Sequence, residues 1–191
     1  MNGISVKNLQ KFYGEQLVLN DVSFDLPDQG ITCIMAPSGV GKTTLLRILL
    51  GLERPDRGSV SLPTDCRWAA VFQEDRLLEH LDAMDNLKFV LGNDLDSQEA
   101  HQLLEELGLA GIEGKPVRDF SGGMKRRLAL ARALLAPSDA LALDEPFTGL
   151  DEENRERAIT CIRKRTAGKP VLLVTHHEED VFGLNAGAIY L

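Results

Sequence analysis

Residues 31–44 read Ile31-Thr32-Cys33-Ile34-Met35-Ala36-Pro37-Ser38-Gly39-Val40-Gly41-Lys42-Thr43-Thr44: an apolar strand, a loop of small residues, then Gly-Lys-Thr-Thr opening an apolar helix. This order suits a polyphosphate. Backbone N–H groups of Gly39 to Thr43 would wrap the phosphate oxygens, Lys42 would neutralise the β and γ charges, and the Thr43 hydroxyl would ligate Mg²⁺. The helix from Gly41 to Leu50 would bring its positive dipole end to the same place. A bare Gly-Lys-Ser/Thr arises by chance in roughly one chain in ten of this length. The strand before it and the helix after it therefore carry the reading. The full P-loop pattern has glycine six residues before Lys42, and Ala36 stands there instead. Alanine fits only if its φ stays negative.

With 191 residues and 43% apolar side chains, the chain suits one α/β core with a subsidiary lobe and would bury roughly 70% of its unfolded surface. A net charge of −8 and a pI near 5.0 argue against a nucleic-acid scaffold or an anionic-lipid binder. Cys33, Cys66 and Cys161 show no C-x-x-C spacing and read as reduced core thiols of a cytosolic protein. No stretch approaches 18 apolar residues and the N-terminus lacks a signal-peptide core, so a role at a membrane would run through a partner.

Alternation in Ile4 to Leu9 and Leu17 to Leu26 predicts antiparallel strands. The continuous apolar runs Ile31 to Met35, Ala140 to Leu143 and Val171 to Val174 predict strands buried on both faces of a parallel sheet. Helices follow these runs at Gly41 to Leu50, Glu152 to Thr166 and Glu178 to Gly183. Between Glu74 and Pro137 the pattern turns helical, at Met84 to Leu91, Ser97 to Leu107 and Ser121 to Leu135, with Ser97 as a cap and Gly108 to Phe120 as a linker.

Asp144 and Glu145, in Leu141-Ala142-Leu143-Asp144-Glu145-Pro146, fall where a buried strand meets a loop, the edge at which open α/β proteins bind ligands. Asp144 suits Mg²⁺, and Glu145 suits a base that orients and deprotonates water. An exposed acidic turn is the plain alternative. Phe120-Ser121-Gly122-Gly123-Met124-Lys125-Arg126-Arg127 starts a helix with two glycines in its first turn, each costing roughly 1 kcal/mol. A serine cap and bare N–H groups make an anion site, or merely a capped turn. Lys125, Arg126 and Arg127 read as a solvated or intersubunit surface.

In this order, the motifs resemble the ATPase subunit of ATP-binding cassette (ABC) transporters along nearly the whole chain. The resemblance implies an α/β P-loop NTPase fold: a mixed-sheet core with an N-terminal antiparallel subdomain (1–73 and 138–191) and an inserted helical subdomain (74–137). It implies that ATP is held by Tyr13 stacking on adenine, by Ala36, Pro37, Ser38, Gly39, Val40, Gly41, Lys42, Thr43 and Thr44, and by Ser121, Gly122, Gly123 and Asp151. Mg²⁺ would be held by Thr43, Gln73 and Asp144. The catalytic residues would be Glu145 as base, His176 at the γ-phosphate, Gln73 and Lys42. The signature reads FSGGM where LSGGQ is usual, and His177 is expected to face solvent. FQEDRLL followed by DNL is similar to the importer branch for nitrate, sulfonates or taurine.

The same resemblance implies that two copies, or a pair of ATPase subunits, face head to tail, each SGG helix closing over the other's P-loop. The partners would be a transmembrane permease, docked near Glu74 to Leu91, and a solute-binding protein, with no nucleic acid. The chain would sit in the cytoplasm on the inner face of the membrane. A P-loop kinase would need an Arg-bearing lid in place of SGGM, and a DNA-repair cassette a long heptad insertion between Gln73 and Ser121. A soluble assembly ATPase is the remaining alternative.

Overall fold

Strict alternation along three buried strands divides the core in two. In Gly30–Met35 (β3), Ala140–Asp144 (β6) and Pro170–Thr175 (β7), residues Cys33, Met35, Leu141, Leu143, Val171 and Leu173 face one apolar cluster, while Ile34, Ala140, Ala142, Leu172 and Val174 face the other. This two-sided burial explains why the runs are apolar throughout. The structure, a computed structural model, describes residues 3–37 and 39–191.

The three strands join Trp68–Val71 (β5) and Gly187–Tyr190 (β8) in a five-stranded parallel sheet ordered β5-β6-β7-β3-β8. Ile4–Tyr13 (β1), Gln16–Leu26 (β2) and Arg57–Ser61 (β4) form a separate antiparallel sheet ordered β2-β1-β4. Helix Lys42–Leu49 (α1) lies in the smaller cluster with Leu45, Leu46 and Leu49 buried against Ile4, Val6 and Leu9 of the antiparallel sheet. On the larger cluster sit Ala83–Leu91 (α2), Ser97–Glu106 (α3), Gly122–Leu135 (α4), Glu152–Arg165 (α5) and Glu178–Leu184 (α6). The expected antiparallel start, parallel core and helical segments are all present. β4 had no signal, because only Val60 among Arg57-Gly58-Ser59-Val60-Ser61 is apolar.

Three local expectations are corrected. Asp96, not Ser97, caps α3, its carboxylate accepting from the N–H groups of Gln98 (2.8 Å) and Glu99 (3.1 Å). The segment 108–120 is no loose linker. Leu109, Ile112, Val117 and Phe120 are buried in the larger cluster, and the N–H groups of Val117 and Arg118 donate to the carbonyls of Leu81 and Glu79. Finally, Arg126 and Arg127 are buried rather than solvated, for reasons that bear on the site. Cys33 and Cys161 are buried thiols as expected, whereas Cys66 is only half-buried. Burial pushes the Cys33 thiol up to about 12, with the Asp180 charge adding to the rise.

The capping correction is testable. Asp96→Ala leaves two N–H groups at the start of α3 without their acceptor and will lower unfolding free energy by about 1 kcal/mol. Ser97→Ala will leave the urea midpoint unchanged, and a larger loss from the serine change would restore Ser97 as the cap.

Candidate active site

Parallel strands deliver their carboxyl ends to one edge, and four loops meet there. β3 leads into the 36–41 loop, β5 into Gln73, β6 into Asp144 and Glu145, and β7 into His176. Gly41 caps α1 at φ 85°, and a Cβ there would lie 2.7 Å from Val18 Cγ1 and 2.9 Å from its carbonyl oxygen. The tight entry into α1 thus requires glycine, and it brings the orphan N–H groups of the first helical turn to the site. Ala36 is buried and is not among the residues of positive φ, so the missing glycine needs no strained backbone.

A cavity of about 290 Å³ opens at this edge, lined by Gly39, Gly41, Lys42, Thr43, Thr44, Gln73, Asp144 and Glu145, with Val18 of β2 on its wall. The buried Lys42 ammonium donates to the carbonyls of Ala36 (2.6 Å) and Pro37 (3.1 Å), so the loop holds its own cation in place. Val40 is half-buried between the two glycines, and Ser38 lies outside the described residues. Thr43 Oγ1 donates to Asp144 Oδ2 at 2.7 Å, linking the first turn of α1 to the end of β6.

Asp144 is 2% exposed. Burial lifts its carboxyl above the usual carboxylate range and the Glu145 charge adds to the rise. The Thr43 hydrogen bond and the charges of Arg126 and Lys42 oppose it. A desolvated carboxylate beside a threonine hydroxyl and an amide oxygen is a hard-oxygen donor set suited to Mg²⁺. Among the described residues no group of three or more His, Cys, Asp or Glu could hold a metal ion.

Glu145 has φ 46°, a left-handed conformation uncommon for a residue with a side chain. Its Oε1 lies 3.1 Å from His176 Nδ1, and the His176 and His177 rings are 3.9 Å apart. The turn carrying His176 is fixed from below. Thr175 donates its hydroxyl to buried Asp180, which also accepts from Arg155 Nη2 of α5 at 2.7 Å.

The other expected nucleotide residues do not line this cavity. Tyr13 is exposed at the end of β1, its phenol donating to Glu53 Oε1 at 2.6 Å with the Lys11 ammonium 5.5 Å from its ring. Ser121 caps α4, its hydroxyl accepting from Met124 N. Asp151 caps α5, accepting from Asn154 N at 2.9 Å. Met124, where the usual signature has glutamine, packs against the larger cluster. A Cβ on Gly123 would meet the Gly149 carbonyl oxygen at 2.9 Å, whereas one on Gly122 would meet nothing within 4 Å. The close approach of Gly149 accounts for glycine at 123, while no described residue approaches position 122. Val18 and Arg126 gave no sequence signal, the first being one valine of an alternating strand and the second part of a basic run.

Residues 19–148 match the family model described as ABC transporter. The chain is 36% identical to "Aliphatic sulfonates import ATP-binding protein SsuB 2" of Burkholderia cenocepacia, covering 98% of this chain and 73% of that one. It is 40% identical to "Nod factor export ATP-binding protein I" of Burkholderia lata, covering 93% of this chain and 64% of the other. Among solved structures, the dimeric MJ0796 bacterial ABC transporter cassette superposes with a TM-score of 0.84 at 28% identity, over 98% of this chain and 94% of that one.

The raised Asp144 pKa sets a pH dependence. Between the ordinary and the raised value the folded chain holds a proton that the unfolded chain has shed. This group's contribution to stability therefore falls as pH rises through that window and stays lost above it. In nucleotide-free denaturation at a series of pH values from about 4 upward, the midpoint of wild type minus that of Asp144→Asn will decrease with rising pH. A difference that stays flat overturns the assignment.

Proposed function

The chain belongs to the ABC transporter family of ATP-binding subunits, and from that premise we propose that it drives uptake of a small solute, of the sulfonate class, through a transmembrane permease. Its activity is ATP hydrolysis. The observation that carries the reading is the single cavity in which Lys42, the Thr43–Asp144 pair, Gln73 and the His176-paired Glu145 converge.

In the proposed reaction, the α1 first turn and Lys42 bind the β and γ phosphates, which Lys42 reaches by exchanging the Ala36 and Pro37 carbonyls for phosphate oxygens. Thr43, Asp144 and Gln73 would hold Mg²⁺, whose charge offsets that developing on the transferring phosphoryl group. Glu145 orients one water in line and takes its proton, with His176 beside it at the γ-phosphate. Tyr13 serves as the adenine platform, its ring held by the Glu53 bond, and Pro37, Ser38 and Val40 complete the loop.

Ser121 and Gly122 act on the nucleotide of a second copy, head to tail, with Asp151 at the same seam. The open space over Gly122 supports this, since no described residue of its own chain would come within 4 Å of a Cβ there. The dimeric form of the MJ0796 cassette adds to it. We divide the chain into a core at 1–73 and 138–191 and a helical subdomain at 74–137. The permease would dock on the segment 74–91, where Phe89 is 72% and Val90 53% exposed on α2. No helix among the described residues is long and apolar enough to cross a membrane, so attachment to the inner face of the membrane would run through that permease, with a solute-binding protein supplying the cargo. The sulfonate importer relative supports import, while the export relative makes direction the finer point.

A kinase reading is disfavoured because Arg126 and Arg127, the arginines at the SGGM helix, are buried on carbonyl oxygens and form no lid. A repair cassette is disfavoured because the chain has no long heptad insertion between Gln73 and Ser121, where the α-helices run to 9 and 10 residues.

Glu145→Gln will keep ATP binding, lower turnover by about 100-fold or more and lengthen dimer lifetime. Wild-type phosphate release from that variant removes Glu145 from its role. Lys42→Ala will raise the ATP dissociation constant about tenfold or more by calorimetry, and an unchanged value counts against the phosphate loop. Co-purification with a multi-span membrane protein separates a transport subunit from a soluble assembly ATPase.

A further inference from the structure

Arg126 sits in the second turn of α4, five residues beyond the Ser121 cap, and is 4% exposed. Its guanidinium forks between two loops. Nη2 donates to the carbonyl oxygens of Asp144 and Glu145, both at 2.8 Å. Nη1 donates to the Phe72 carbonyl at 2.6 Å, to that of Gln73 at 3.4 Å and to Asp75 Oδ1 at 3.0 Å. One side chain thereby holds the backbone at both residues assigned to the attacking water and its metal.

We propose that Arg126 is a positioning residue for hydrolysis: its planar fork sets the distance between the Gln73 and Glu145 backbones and ties both to the tip of the SGG helix. The inference rests on the roles given above to Glu145 and Gln73. Glu145 needs such a hold. Its left-handed φ of 46° has a backbone cost, and the bonds to its own and the preceding carbonyl keep that peptide in the conformation that turns its carboxylate toward His176. Asp75 balances the buried guanidinium at 3.0 Å. Since Arg126 moves rigidly with α4, a displacement of the Ser121 tip is passed to the water-activating residues of the same chain. Guanidinium geometry is essential here. A lysine ammonium is a point donor and cannot satisfy carbonyls on two loops with parallel bonds.

Arg126→Lys and Arg126→Gln test this with the full chain. Lysine keeps the charge beside Asp75 and glutamine keeps a smaller amide donor, so at least one folded variant is expected. Single-turnover ATP hydrolysis with protein in excess will slow by about 10- to 100-fold, while ATP affinity by calorimetry stays close to wild type and the melting temperature falls with unfolding still cooperative. In the Glu145→Gln background the Arg126→Lys change will add little further loss, because Arg126 acts through the group already removed. Three results overturn the proposal: a wild-type rate in Arg126→Lys, a rate loss matched by the loss of ATP affinity, or a loss that multiplies in full with Glu145→Gln. A wild-type rate in Glu145→Gln alone would instead sink the reading of the base and leave the Arg126 measurement to stand on its own.

Discussion

Parallel registry between β3, β6 and β7 is the constraint on which the rest of the molecule depends. Met35 is level with Thr175, and Asp144 is level with Val174. The phosphate loop, the Asp144–Glu145 pair and the His176 turn therefore leave the sheet at one height. A slip by one residue in either ladder would turn the side chains of a whole strand to the opposite cluster. The division of apolar residues between the two clusters fixes that register, so the same hydrophobic pattern that builds the core also aligns the site. α1 is then held where Thr43 reaches Asp144.

That alignment concentrates polar groups where burial penalises them. Lys42, Asp144 and Arg126 are all less than a tenth exposed, and each has polar partners within the site. The lysine rests on loop carbonyls, the aspartate on a threonine hydroxyl, and the arginine on four carbonyls and Asp75. These partners leave Asp144 short of compensation, as the upward displacement of its pKa records. A divalent cation would meet that shortage, and a polyphosphate would meet the complementary positive ends of Lys42 and α1. The site's affinity for a charged ligand is in this sense a consequence of its incomplete internal balance.

Legibility in the sequence followed the range of the interaction. β3, β6 and β7 announce themselves because burial on both faces leaves only apolar side chains, and the Gly39–Thr43 loop because phosphate wrapping needs small residues in fixed order. Glu145 and Asp144 could be read from their position after a buried strand. Tyr13, Gln73 and His176 entered only through resemblance, since one aromatic, one amide and one imidazole carry no periodicity. Of these, Gln73 lines the cavity and His176 meets Glu145, while Tyr13 lies apart at the end of β1. β4 was invisible because its stability comes from backbone pairing with β1, which any side chain tolerates. Asp96 displaced Ser97 as a cap because both residue types suit the position, and only backbone geometry chooses between them.

The basic run at the start of α4 was misread for a related reason. Three cations in sequence suggest solvent, because a burial cost of several kcal/mol per ion ordinarily forbids anything else. Here Lys125 follows the rule, reaching Glu79 at the surface, while its two neighbours do not. Arg127 donates to the carbonyls of Leu107 and Gly108 and to Asn154 of α5, at the cost of a guanidinium whose pKa burial pulls down. Arg126 does the same for the Gln73 and Glu145 loops. Their acceptors are mostly peptide carbonyls, and a carbonyl has no identity in a sequence. Two loops and a helix end can therefore be bound tightly by arginine while nothing in the accepting segments betrays it. Joining through backbone rather than side chains also leaves the Gln73 amide and the Glu145 carboxylate without a bond to the guanidinium, both on the wall of the cavity.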